Sequence, residues 1–239
     1  EFLIEVAKGN ANFIGGSLEA IAMLTHSNCQ FKIVSTSYCQ YVEYTTKLAG
    51  ITKENIRCTF FPIDELSERI KKADKQFVRE KALEIKKLPK LGITSATRKR
   101  DLSRDATDAI HSLDRFFWEE LPETSFREVL DTVKPLGGRR KLRAIRETLE
   151  KEGKELAESV TIGDSITDWA MLKETKNAGG LSISFNGNDY AIRNSNVAII
   201  SNNCIITPIL IELFRNSGID AIKKVTLNWN VESLREGMH

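Results

Sequence analysis

The run Val160-Thr161-Ile162-Gly163-Asp164-Ser165-Ile166-Thr167-Asp168 carries the densest chemical potential in the chain. Three apolar or β-branched residues lead into G-D-x-x-x-D, and Trp169, Ala170, Met171 and Leu172 then begin an apolar helical pattern. This predicts a buried strand with Asp164 at its carboxyl end, where open α/β sheets bind ligands. Asp168, four residues on, falls on the same face of the predicted first helical turn. Two converging carboxylates repel unless a cation or hydrogen-bond donors compensate them, and Mg²⁺ accepts such oxygen ligands while retaining several waters. The same residues also fit a plain helix start, with Asp164 as the cap and Asp168 as a favourable first-turn acid.

Three further places offer polar groups that suit a phosphate. Lys141 opens a predicted helix just after Pro135-Leu136-Gly137-Gly138, and taken alone it also reads as an ordinary surface lysine. The short strand pattern Phe31-Lys32-Ile33-Val34 ends in Ser35-Thr36-Ser37, which by itself is equally a strand-end turn. Downstream, Ser184-Phe185-Asn186-Gly187-Asn188-Asp189 offers Asn186 and Asn188 around an Asn-Gly turn signal.

The elements that must position these residues alternate. A helical pattern follows Gly15-Gly16-Ser17, then come the strand at Phe31, a helix from about Tyr38 to Leu48 closed by Gly50, and a strand candidate from Cys58 to Phe61. After Pro135 the alternation resumes: a helix over about 139–152, strands at 160–162, 181–185 and 197–200, and a helix around 209–214. Strands separated by helices imply a mostly parallel sheet covered on both faces. Between about 56 and 135, Ile63, Leu66, Ile70, Ala73 and Phe77, and later Ala106, Ile110, Leu113 and Phe117, fall at helical spacing. That segment reads as a mainly helical inserted module, dividing the chain into 1–55 with 136–239 and the insertion 56–135.

In order and spacing, Ser35 (or Thr36 beside it), Lys141, and Asp164 with Asp168 resemble the second, third and fourth motifs of the haloacid dehalogenase superfamily. The resemblance spans about residues 12–50 and 136–205. The Ser-Thr-Ser-Tyr and Phe-Asn-Gly-Asn segments are also similar to an archaeal branch of that family. It implies a Rossmann-like three-layer parallel sheet core with an inserted cap, and Mg²⁺-dependent hydrolysis of a small phosphorylated metabolite through an aspartyl-phosphate. It further implies that Ser35, Thr36, Lys141, Asn186 and Asn188 hold the phosphate or substrate. Asp164 and Asp168 hold the metal, and Lys141 supplies a compact positive charge to the phosphate and the nucleophile.

One family motif is missing: no aspartate precedes Asp64, and no D-x-D occurs anywhere. Because the chain starts at Glu1 rather than Met, the nucleophile is expected from a segment upstream; the alternative is a catalytically inactive regulatory or complex-associated subunit on the same fold. Phe2-Leu3-Ile4 offers a substitute strand or part of a helix.

Composition narrows the remaining classes. A net charge of +2 over 239 residues argues against a nucleic-acid or membrane-surface binder, and Arg98-Lys99-Arg100 is too short a basic run to change that. No apolar stretch approaches the roughly 20 residues that span a bilayer. His26, His111 and His239 lack metal-ligand spacing, and Cys29, Cys39, Cys58 and Cys204 form no C-x-x-C pair. The expectation is four reduced thiols in a cytoplasmic protein.

Overall fold

Leu181–Phe185 (β4) is buried at every position, as befits the middle strand of a sheet. In this computed structural model, β4 pairs in parallel with Val160–Gly163 (β3) on one side and Val197–Ile199 (β5) on the other. Leu181 and Ile183 face the helical segment Ile206–Leu227 (α10), which breaks at Gly218, packing with Val197, Leu210, Leu213, Ile222 and Val225 into one apolar cluster. Ser182 lies on the strand's other face, and its hydroxyl and amide both donate to Asn196 Oδ1. The structure describes residues 13–92 and 99–230, with Ile4, Glu5, Lys8 and Glu232. Phe2, Leu3, Arg98 and His239 fall outside them, and Ile4 is helical.

The chain divides into two units, residues 1–59 with 136–239, and residues 60–135. The first is mixed α/β. Ser17–His26 (α1) precedes Ile33–Tyr38 (β1), Cys39–Leu48 (α2) and Ile56–Thr59 (β2), and β1 pairs with β2 in parallel. Arg139–Lys151 (α7) leads to β3, Trp169–Ala178 (α8) joins β3 to β4, and Asp189–Asn194 (α9) joins β4 to β5. A second apolar cluster gathers Met171 and Leu172 of α8, Ala191 of α9 and Ile145 of α7. Helices thus supply the links that parallel strands require.

Two expectations shift at this level. The Ser35-Thr36-Ser37 cluster lies inside β1 rather than after it, because Tyr38 pairs with Thr59 and extends the ladder through the polar residues. That pairing also corrects the reading of four free thiols. Cys39 follows Tyr38, Cys58 precedes Thr59, and adjacent parallel strands bring their Cα atoms to 5.1 Å, where they form a disulfide. Cys29 and Cys204 are free.

The second unit is helical among its described residues. The single helix suggested by Ile63 to Phe77 is two, Ile63–Arg69 (α3) and Lys72–Ile85 (α4), because Ile70 adopts an extended backbone between them. Arg104–Arg115 (α5) starts at Ser103, whose hydroxyl accepts from Ala106 N. A wider turn over Phe116–Glu120 follows it. Phe116 is buried against Phe77 and Phe117, whereas Trp118 is 77% exposed. Arg127–Thr132 (α6) is tied back by an ion pair from Glu128 to Arg69. Among the described residues, no helix is long and apolar enough to cross a membrane.

Candidate active site

Where β3 ends, the backbone passes Gly163 and Asp164, makes a tight turn over Ile166–Asp168, and only then enters α8. Asp168 therefore sits before the helix rather than inside its first turn. Its carboxylate holds the turn from within: Oδ2 accepts from Asp164 N at 3.0 Å, Ser165 N at 3.1 Å and Ser165 Oγ at 3.2 Å. Ser165 and Asp168 cap each other reciprocally, a capping box closed over three residues. The other oxygen, Oδ1, accepts from Lys141 Nζ at 2.6 Å, and both side chains of this pair are nearly inaccessible.

This packing requires glycine at two positions. A Cβ on Gly163 would lie 2.5 Å from Asp168 Cβ, and one on Gly187 would lie 2.2 Å from Ser184 Oγ. Gly163 leaves room for the Asp168 side chain, Gly187 lets the loop after β4 approach Asp164 O, and Asn188 N donates to Asp164 O at 2.8 Å. The loop after β4 thus supports the loop after β3.

A third strand end joins them through the segment before α7. Thr36 Oγ1 donates to Leu136 O at 2.9 Å, Leu136 N donates to Thr59 Oγ1 at 2.9 Å, and Thr59 Oγ1 donates to Thr36 O at 2.7 Å. Gly138 N donates to Thr167 O at 2.7 Å. Residues 136–138 therefore bridge the end of β1 to the turn after β3 and set the start of α7, from which Lys141 projects.

Asp164 itself is left different from its neighbour. Its side chain reaches solvent, yet partial burial first, and then the adjacent Asp168 carboxylate, push its carboxyl above the ordinary range. For Asp168 burial acts in the same sense, but the Lys141 ammonium and the two backbone N–H donors outweigh it and hold that carboxyl below the ordinary range. One carboxylate is compensated inside the protein by Lys141 and the turn amides; the other is exposed, and Ser165 and Lys141 do not offset its burial and the neighbouring carboxylate. An oxygen-seeking divalent ion held by Asp164, waters and a phosphate fits this donor set. Asp168, with four donors on its two oxygens, fits the role of turn anchor better than that of direct ligand. Among the described residues no group of three or more His, Cys, Asp or Glu side chains gathers to hold a metal.

Of the residues singled out by sequence, Lys141, Asp164 and Asp168 come together, and Thr36 reaches them through Leu136 and Gly137. The Ser35 hydroxyl instead accepts from Ser37 N at 3.1 Å. Asn188 touches the site through its backbone, while its side chain caps α9 by accepting from Tyr190 N and Ala191 N. Asn186 exchanges two hydrogen bonds with Ser201. Thr59 and Ser165, which hold the site in place, carry no spacing signal that would single them out.

The fold resembles a gene product from Archaeoglobus fulgidus, AF1437, with a TM-score of 0.72 at 24% sequence identity. The match covers 95% of this chain and 64% of that one, so the chain spans less than two thirds of that protein's length. No family model and no curated protein matches the chain.

Proposed function

We propose that this chain is the body of a Mg²⁺-dependent phosphohydrolase of the haloacid dehalogenase type, acting on a small phosphomonoester through an aspartyl-phosphate. The observation that carries this reading is the division of labour between Asp168, consumed by Lys141 and the turn, and Asp164, presented to solvent at a strand end. In this reading the core is a Rossmann-like three-layer sheet, and residues 60–135 form the cap that selects substrate. Asp164 holds Mg²⁺, which supplies charge neutralisation at the phosphate. Lys141 and Asp168 keep the Asp164 turn in place. Ser35 offers a hydroxyl proton in β1, while Thr36, whose hydroxyl donates to Leu136 O, holds the loop before α7. The nucleophilic aspartate comes from a segment outside these 239 residues.

The absence of any D-x-D in the chain favours a second reading, a non-catalytic subunit that uses the same site for binding. Phosphate release from a panel of phosphomonoesters, with and without Mg²⁺, on the protein at its native start decides between them. Metal-dependent turnover abolished by Asp164→Asn supports the enzyme. A folded protein with no turnover across the panel supports the binding subunit.

A further inference from the structure

The ladder between β1 and β2 is regular only where it starts. Ile33 pairs with Ile56 and Val34 with Arg57, then the register shifts, and the next pair is Tyr38 with Thr59. The step from Val34 to Tyr38 on β1 thus answers the shorter step from Arg57 to Thr59 on β2, and the slack falls on Ser35, Thr36 and Ser37. An irregular stretch of this kind bends its strand and leaves backbone groups outside the ladder. Thr59 takes one of them up: its hydroxyl donates to Thr36 O at 2.7 Å and accepts from Leu136 N at 2.9 Å. Thr36 Oγ1 in turn donates to Leu136 O, so the tie to the loop before α7 hangs from the irregular stretch.

The far side of that stretch is closed by a covalent bond. Cys39 follows Tyr38, Cys58 precedes Thr59, and the disulfide between them locks the pair at which the ladder resumes. Two features suit this bond to opening as well as closing. Both residues are half-buried rather than sealed in the core, so a small thiol has a route to them. Cys39 is also the first residue of α2, a helix of ten residues with no acidic side chain in its first turn. Amides at a helix start favour negative charge on a neighbouring sulfur, which makes Cys39 the better leaving group.

We propose that Cys39–Cys58 is a redox-responsive site, opened by a low-molecular-weight thiol, whose state sets how firmly residues 136–138 hold the start of α7. In the first step a thiolate of the reductant attacks Cys58 Sγ. A mixed disulfide forms, the Cys39–Cys58 bond breaks, and Cys39 leaves as a thiolate that takes up a proton. A second thiolate then attacks the reductant's sulfur in the mixed disulfide, releasing oxidised reductant and a Cys58 thiolate, which is protonated in turn. Two reductant thiols are oxidised and one protein disulfide is reduced by two electrons. With the bond open, the irregular stretch is held by the ladder on one side only, and Thr36 and Thr59 part more often. Leu136 then loses both of its ties, and the bond from Gly138 N to Thr167 O carries the loop alone. Lys141 starts from that loop and compensates Asp168, which holds the turn of Asp164. A redox control of Mg²⁺ binding at Asp164 rests on the phosphohydrolase reading, whereas the coupling of the bond to the loop does not.

The test uses the Cys29→Ser/Cys204→Ser protein, so that every thiol read belongs to this pair, with dithiothreitol as reductant and its oxidised form for reversal. Alkylation followed by mass spectrometry reports Cys39 and Cys58, and hydrogen exchange reports the amides of Leu136, Gly138 and β4. On reduction both cysteines should become alkylated while β4 keeps its exchange rates, and Leu136 and Gly138 should exchange about tenfold faster. Oxidised dithiothreitol should restore the slow rates. In a Thr59→Val protein the reductant should add no further quickening, because the tie through which it acts is already gone. Alkylation that occurs only when β4 opens too would make the bond a staple of the whole first unit and overturn the proposal. Unchanged Leu136 and Gly138 exchange in the reduced protein would overturn it as well, and so would an undiminished effect of reductant in Thr59→Val. In the same samples Mg²⁺ should raise the unfolding temperature of the oxidised protein more than that of the reduced one. Faster loop exchange without that difference leaves the redox site standing and counts only against Asp164 as the metal ligand.

Discussion

Lys141 Nζ lies 2.6 Å from Asp168 Oδ1 with both side chains almost wholly withdrawn from solvent, and this pair joins α7 to the turn that presents Asp164. A buried ion pair contributes little over an apolar pair of the same shape, but removing one member leaves an uncompensated charge. Lys141→Met is therefore expected to cost about 3–5 kcal/mol by chemical denaturation. Adding Asp168→Asn should recover part of that, because the amide oxygen is neutral and still accepts from Asp164 N and Ser165 N. A double variant as unstable as the sum of its singles would show that the two residues do not act as a pair.

Asp164 should behave in the opposite sense. With its carboxyl raised in the folded state, its contribution to stability is present at acid pH and is lost as pH rises from the ordinary carboxylate range through the raised value. Asp168, held low, contributes stability that is present above the ordinary range and lost as pH falls through its depressed value. Asp164→Asn is thus expected to unfold at the same or a higher temperature than the parent at neutral pH without Mg²⁺. Mg²⁺ should raise the unfolding temperature of the parent and leave the variant unmoved. An equal Mg²⁺ shift in both proteins would remove Asp164 as the ligand.

Of the two ways of reading G-D-x-x-x-D, the capped turn is present, but Ser165 and Asp168 close it rather than Asp164; the metal reading rests on the exposed Asp164 and is the proposal made above. Spacing alone could not separate them, because which carboxylate is consumed depends on Lys141, a lysine brought in by a different helix. Strand β4 and helix α7 were legible because their apolar patterns are unbroken. The end of β1 was not, since Ser35, Thr36 and Ser37 read as a turn until pairing with β2 holds them extended. The tie from Thr59 to Leu136 spans 77 residues and leaves no local trace in the sequence. The Cys39–Cys58 bond depends on the same pairing, so it too was invisible.

The tie through Thr59 can be tested with an isosteric change. Thr59→Val keeps the volume but leaves Leu136 N without its acceptor in a buried setting, a loss of about 1–3 kcal/mol. Exchange of the Leu136 and Gly138 amides should quicken more than that of β4 amides. Uniform quickening across the first unit would mean that Thr59 supports the fold as a whole rather than the loop that carries Lys141.

The disulfide gives a prediction on the β1 side of the site. Cys39 and Cys58 close a loop with a sequence separation of 19, for which chain-entropy arguments put the stabilisation at about 3 kcal/mol. Reduction, or the Cys39→Ser/Cys58→Ser pair, should lower the unfolding midpoint accordingly, and protection of Ile33 and Val34 amides should fall with it. Cys29→Ser and Cys204→Ser together should do neither, since those thiols are free. If reducing agent shifts the midpoint of the Cys39→Ser/Cys58→Ser variant as much as that of the parent, the effect does not come from this bond.

Gly163→Ala tests whether the turn must be this tight. The added methyl meets Asp168 Cβ at 2.5 Å, a contact that only movement of the Asp168 side chain or the strand end can relieve. Overpacking of this kind costs about 1–3 kcal/mol, but the more specific expectation is electrostatic. Displacing Asp168 lengthens its bonds to Asp164 N and Ser165 N and loosens its pairing with Lys141. The Mg²⁺-dependent stabilisation should then disappear although Asp164 itself is unchanged. Gly92→Ala, at a glycine with nothing within 4 Å of the added carbon and, like Gly163, no left-handed backbone, controls for the loss of a glycine. A Gly163→Ala protein that keeps its full Mg²⁺ response would mean that Asp164 is positioned without Asp168, and that the division of labour between the two carboxylates is not what shapes the site.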